Sequence, residues 1–164
     1  MRLLAPVLAA GLAALAISAP VAGQKADDQI APKSVELQKQ GAGLLSAGKF
    51  DAAEDALEAS LAVDPRNRWA FVDLARVAEK QRLFGKAIRM SNKALLLEPN
   101  DPDAIAVQGE AMVELGATAR AQANLQKLQT ICAKGCPQVA QLSAAITRGP
   151  TVAAAKAPAS PKSN

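Results

Sequence analysis

GKFDAAEDALEASLAVDPRN, residues 48–67, returns as RLFGKAIRMSNKALLLEPND, residues 82–101. The step from Gly48 to Arg82 is repeated from Arg82 to Gly116, where a looser third copy starts. Ala53, Ala87 and Ala121 fall at that interval, as do Pro65 and Pro99, while Gly48 and Gly116 stand at twice it. A fixed period of about 34 residues is the mark of stacked repeat units, each one supersecondary element. Within the first copy, Ala53, Ala56, Leu57, Ser60 and Leu61 follow helical spacing. Asp51 opens that helix where the macrodipole favours negative charge. Pro65 stops it.

Outward from this stretch, the chain reads as helix pairs. The spacing predicts helices over about 34–47, 51–64, 68–81, 84–97, 102–115 and 118–132. Gly48 and Gly116 are placed to end the first and fifth in left-handed turns. Asp101 and Pro102 form a helix start, with an N-cap acid before proline at the first helical position. The third unit departs from the pattern, because position 133 is alanine where the period expects proline. Cys132-Ala133-Lys134-Gly135-Cys136-Pro137 stands there instead, and a last helix follows to about Thr147. A repeat stack needs a closing helix with a polar outer face, and residues 137–148 suit that role.

The ends read differently. Residues 1–23 have the form of a secretory signal: Arg2, an apolar run from Leu3 to Ile17, then small residues Val21-Ala22-Gly23 before a cut. Pro6 and Gly11 interrupt the run and Pro20 follows it, which argues against a retained membrane anchor. Residues 24–33 are a polar lead-in containing Pro32, and residues 149–164 are a proline-containing tail without a helical pattern. The expected organisation is a signal peptide (1–23), a lead-in (24–33), a helical-repeat domain (34–148) and a disordered tail (149–164). The repeat domain divides into units 34–67, 68–101 and 102–136 and a cap helix 137–148.

Composition narrows the chemistry. The 164 residues include no histidine and no tyrosine. That removes Ser-His and Cys-His catalysis and His-ligated zinc. Carboxylate pairs such as Glu54/Asp55 and Asp101/Asp103 sit on solvated faces or at helix starts, so a non-enzyme is expected, without cofactor or metal. Net charge is +4, with signs interspersed along the chain, and no clustered nucleic-acid footprint is expected. Cys132 and Cys136 are the only cysteines. In an exported chain they are expected to form a disulfide clipping the sixth helix to the cap. The alternative is a thiol-disulfide redox protein using the same pair, but their CxxxC spacing lacks the usual CxxC motif and its fold context.

Aligned from Ser34, Arg68 and Pro102, the units resemble the tetratricopeptide repeat, W-x2-L-G-x2-Y followed by A-x3-F and proline. Unit one offers Leu37, Gly41, Leu44, Ala53, Leu57 and Pro65. Unit two offers Phe71, Leu74, Ala75, Ala78, Ala87 and Pro99, and unit three Ile105, Gly109, Met112, Ala121 and Leu125. Gly41, Ala75 and Gly109, with the three periodic alanines, are expected where the two helices of a unit cross most closely. Gln40, Gln108 and Ser91 stand where larger apolar residues are expected, which predicts thin packing in those turns.

The resemblance implies an all-α solenoid of about three helix pairs plus the cap. It also implies a concave groove lined by the first helix of each pair, used to bind a peptide or protein. The implied groove positions are Val35, Gln38, Ala42 and Leu45; Trp69, Val72, Arg76 and Glu79; and Asp103, Ala106, Glu110 and Val113. Of these, Gln38, Leu45, Trp69, Val72, Arg76, Glu79, Glu110 and Val113 are the candidate binding residues, with Trp69 the anchor to watch. The family's clamp for acidic chaperone tails is not matched, since Ala42, Asp73 and Asp103 stand where two asparagines and a lysine are expected. The implied role is an exported interaction module, periplasmic or extracellular with the Gram-negative periplasm favoured, and self-association stays open through the exposed repeat ends. No small-molecule substrate is expected.

Overall fold

The computed structural model describes residues 29–151, and the signal-sequence reading and residues 152–164 of the tail lie outside them. Among the described residues, seven helices follow one another: α1 Pro32–Ser46, α2 Phe50–Val63, α3 Arg68–Lys80, α4 Phe84–Leu97, α5 Pro102–Glu114, α6 Thr118–Ile131 and α7 Pro137–Arg148. The described residues contain no strand. α1 starts two residues before the expected Ser34, with Pro32 in its first turn. Proline is favoured there because its missing N–H has no intrahelical partner to lose. Residues 32 and 33 of the expected lead-in are therefore helical.

Consecutive helices pack as antiparallel pairs. The odd-numbered helices α1, α3, α5 and α7 also pack in succession, whereas no two even-numbered helices pack backbone to backbone. A stack whose one layer is closed and whose other layer is spread must curve. The odd helices form its inner wall and α2, α4 and α6 its outer wall. This is an α-solenoid of three helix pairs closed by α7.

Small residues set the inner spacing. A Cβ on Gly41 would lie 2.5 Å from Leu57 Cγ of α2. One on Gly109 would lie 2.7 Å from both methyls of Leu142, on α7. The first is the expected crossing within a unit. The second differs, because the nearest neighbour of Gly109 is the cap helix rather than α6. Ala53, Ala75, Ala87 and Ala121 are fully buried.

The turn inside each pair needs a left-handed residue. Gly48 and Gly116 supply it at φ +72° and +75°. The middle unit uses Arg82 at φ +61°, one repeat period from each. A side chain is strained in that region, where glycine is not.

The joint between units one and two is polar and buried. Ser34, Ser60 and Asn67 are all fully buried. Ser60 Oγ donates to Ser34 O at 2.7 Å, and the Asn67 amide donates to both hydroxyls at 3.0 and 3.1 Å. Asn67 also caps α3 through Ala70 N. The neighbouring Asp64 accepts from the Arg66 side chain and from Ala31 N at 2.9 Å, and these bonds hold its carboxyl well below the usual range. At the next joint Asp101 caps α5 through Ala104 N at 2.9 Å and pairs with Arg68.

Gln108 overturns the expectation of thin packing. It is 7% exposed, donates to Asn92 Oδ1 at 2.6 Å and accepts from Asn124 at 2.8 Å. The position expected to hold a leucine is filled by a satisfied amide tying α4, α5 and α6 together. Ser91 is fully buried, and its hydroxyl has no partner. Gln40 is exposed.

At the far end, Leu142 is fully buried in a cluster with Ile105, Ala106 and Leu128, with Val139 and Ile146 packed against it. Cys132 ends α6 and Cys136 precedes α7, and the two are disulfide-bonded with Cα atoms 5.6 Å apart. Gly135, at φ +84°, makes the turn between them.

Candidate functional site

The inner wall carries a ladder of side chains that crosses all four odd helices. Gln38 of α1 donates to Asp73 Oδ2 at 2.6 Å. Arg76 donates to Asp73 Oδ1 at 3.0 Å and to Asp103 Oδ1 of α5 at 2.6 Å. Gln138 of α7 donates to the same Asp103 oxygen at 3.0 Å. The local cause is helical register. Asp73 and Arg76 are three residues apart and share a face of α3, so one arginine reaches both its own helix and the next.

On one side of this ladder stands Trp69, 46% exposed. The Arg68 guanidinium lies 4.2 Å from its ring centroid. That guanidinium also pairs with the buried Asp101. The ring is therefore held from one side by a fixed cation, while much of its surface stays open.

On the other side, nearer the C-terminal ends of α3 and α5, Glu79 meets Glu110. Burial pushes the Glu79 carboxyl up to about 8, and the adjacent Glu110 carboxylate adds to the rise. Glu79 thus holds a proton at neutral pH and can donate it in a hydrogen bond, as a carboxylate could not. Glu110 Oε1 is itself buried. Beyond them, Glu114 accepts from Thr151 N and Thr151 Oγ1, both at 2.8 Å. Glu79, Glu114, Arg82 and Arg148 line a shallow open cleft at this end.

Of the residues expected to line the groove, Gln38 and Arg76 join the ladder, and Glu79 and Glu110 form the carboxyl pair. Leu45 is half-buried against the core of Ala53 and Leu57. Val72 and Val113 are corrected. They are 2% and 1% exposed, and Val72 packs with Ala94 and Ala104, so neither offers surface to a partner. Ala106, at 1%, is likewise interior. For Val72 and Ala106 the wall is closed by residues of neighbouring helices, contacts the spacing within one helix does not contain.

Asp73 and Gln138 were missed as wall residues, and Glu114 with them. A signal existed for the first two. Gln38 and Asp73 are 35 residues apart, as are Asp103 and Gln138, so both carboxylate–amide pairs join successive inner helices at the same spacing.

Among the described residues, no group of three or more His, Cys, Asp or Glu side chains could hold a metal ion. No described helix is long and apolar enough to cross a membrane.

The tetratricopeptide-repeat family profile matches residues 44–108. No curated protein sequence matches the chain. Several solved structures share the fold. The Sgt2 TPR domain from Aspergillus fumigatus superposes with a TM-score of 0.66 at 18% identity, covering 72% of this chain and 79% of that one. The second TPR domain of human RPAP3, in complex with the HSP70 peptide SGPTIEEVD, gives 0.63 at 21%, covering 70% and 95%. PcrH, in complex with the chaperone binding region of PopD, gives 0.61 at 20%, covering 70% and 88%. The repeat period, the curved stack of helix pairs and this match over residues 44–108 agree on a tetratricopeptide-repeat fold.

Proposed function

We propose that the chain is an exported, periplasmic interaction module that binds a peptide or protein segment along its inner wall and performs no catalysis. The observation that carries this reading is Trp69. It is a half-exposed indole on α3, braced by Arg68 and four residues before Asp73 of the polar ladder. Buried aromatic anchors beside fixed polar groups are what interface hot spots are made of. The peptide complexes of RPAP3 and PcrH support the same use of the fold. The occupant differs from the acidic HSP70 peptide, because Asp73, Asp103 and Glu110 would repel carboxylates on this wall.

The test is site-specific photo-crosslinking in the exported fraction. A crosslinker at Gln38 or Arg76 should capture a defined protein, and Trp69→Ala should reduce that capture at least tenfold. A crosslinker at Glu58, on the outer wall, should not capture it. Equal capture from Glu58, or capture indifferent to Trp69→Ala, places the binding surface elsewhere.

The disulfide supports a structural role over the redox alternative. It joins the end of α6 to the start of α7, holding the cap on the stack. Under a redox role the pair would cycle with mild reductant, and a structural bridge resists it.

A further inference from the structure

The signs of charge that mix along the chain separate by helix on the outer wall. α2 carries Asp51, Glu54, Asp55 and Glu58 and no basic residue. α4 carries Lys86, Arg89 and Lys93 and no acid. The pattern continues on α6, where Arg120 and Lys127 stand one repeat period after Lys86 and Lys93. An acidic stripe therefore runs beside a basic one, and they already meet once, in the Lys86–Glu54 ion pair. The rest of the two stripes is not neutralised this way. Among the described residues, Asp55, Glu58 and Arg89 form no ion pair.

The stripes also match in shape. Asp55, Glu58 and Ala62 lie on one exposed face of α2, and Arg89, Lys93 and Leu96 on one exposed face of α4. Leu96 is 83% exposed, the most exposed large apolar side chain in the described chain, and it stands one repeat period after Ala62. A leucine left in water at the end of a cationic stripe finds its counterpart in a small, apolar position at the end of an anionic one.

We propose that the outer wall is a self-association surface, on which α2 of one copy docks against α4 of a second copy. As successive copies of one unit, α2 and α4 run in the same direction. A two-fold axis parallel to them keeps that direction and exchanges their order. It sets Arg89, Lys93 and Leu96 of each copy opposite Asp55, Glu58 and Ala62 of the other. The contact is isologous, so it closes at two copies. A single exposed ion pair contributes little, but here the pairs form twice and flank an apolar contact. Both inner walls remain open in the dimer. Two linked binding walls would raise the avidity for a partner with repeated segments.

The experiment is sedimentation velocity on the chain as exported, over a concentration series at 20 and 500 mM NaCl. A dimer is expected at low salt, with self-affinity at least tenfold weaker at high salt. Asp55→Lys/Glu58→Lys and Arg89→Glu/Lys93→Glu should each weaken self-association at least tenfold. Circular dichroism should show both folded. An equimolar mixture of the two variants should regain a dimer, because the reversed stripes are again complementary. A monomer at every concentration and salt level overturns the proposal and leaves the α4 stripe to an acidic partner. A dimer indifferent to both variants, or a mixture that fails to restore it, overturns the pairing of α2 with α4.

Discussion

On the inner wall, Asp73, Arg76 and Asp103 use their charges on one another and on Gln38 and Gln138. On the outer wall, Asp55, Glu58 and Arg89 form no ion pair among the described residues. Spacing produces the difference. The odd helices pack against each other, so their long polar side chains reach the next helix and become part of the scaffold. The even helices stand farther apart; Lys86–Glu54 is the one ion pair between them among the described residues, and most of their other charges face water. Inner-wall charge should therefore matter to folding, and outer-wall charge to encounters with other molecules.

The largest effect should come from filling the inner contact itself. Gly109→Leu drives a side chain into Leu142, which is fully buried and has no room to yield. A cost of about 3 kcal/mol is expected, at the upper end for overpacking. Urea unfolding measures it. A cost under about 1 kcal/mol would mean that α7 lifts away easily and that the inner wall is not a closed layer.

Removing one rung of the ladder should come next. Asp73 is 5% exposed and accepts from both Gln38 and Arg76. Asp73→Ala leaves the Gln38 amide without its acceptor and Arg76 with Asp103 alone, at a cost of about 2 kcal/mol. A double-mutant cycle with Gln38→Ala separates the shared bond from local effects. Strict additivity would show that the ladder contributes geometry without energy.

The acidic end of the same wall gives a dependence on pH. The Glu79 pKa in the folded chain, about 8, lies above the 4.5 of a free glutamate. The folded state thus binds an extra proton between those values. The associated stability is fully present below about pH 4.5 and is lost as pH rises through about 8. Glu110 and Glu114 reinforce the shift, and Lys80 opposes it. Tm should fall by several degrees between pH 5 and pH 9, and Glu79→Gln should flatten that part of the profile. An unchanged slope in the variant would assign the dependence to another group.

Much of this fold was legible because the repeat is periodic in the residues that must be small or must turn. Ala53, Ala87 and Ala121 mark the crossings, and Pro65 and Pro99 mark the joints. The fold class and the resemblance follow from those positions. The inner wall was less legible. Val72 and Val113 have the same places in their helices as the half-buried Gln38 and Leu45 of unit one, and periodicity within one helix does not tell the two cases apart. Gln108 looked like a packing defect because its partners, Asn92 and Asn124, lie on two other helices. Single-helix periodicity locates a face. It does not say what covers that face, or which polar group on another helix satisfies a buried amide.

Arg82 shows the limit of reading the period too literally. It occupies the turn that Gly48 and Gly116 fill in the neighbouring units, with its backbone in the same left-handed region. Arg82→Gly should stabilise the chain by about 1 kcal/mol, by removing the strain of a side chain at positive φ. The greater freedom of glycine in the unfolded chain offsets part of the gain. Arg82→Ala separates strain from any role of the guanidinium, because alanine keeps the Cβ and loses the charge. If Arg82→Gly destabilises while Arg82→Ala costs as much or more, the side chain holds the turn through contacts that outweigh the strain.

The smallest effect should lie on the outer wall. Glu58→Lys replaces an exposed acid that forms no ion pair among the described residues. Surface changes of this kind alter stability by no more than about 0.5 kcal/mol. Measured at high salt and low protein concentration, unfolding of Glu58→Lys should therefore match that of the parent chain. The condition matters because an interface would couple stability to concentration, since binding to the folded state stabilises it by mass action. A loss of about 2 kcal/mol under these conditions would mean that Glu58 supports the single chain as Asp73 does. The two walls would then use charge alike, and spacing between helices would no longer explain where charge is structural.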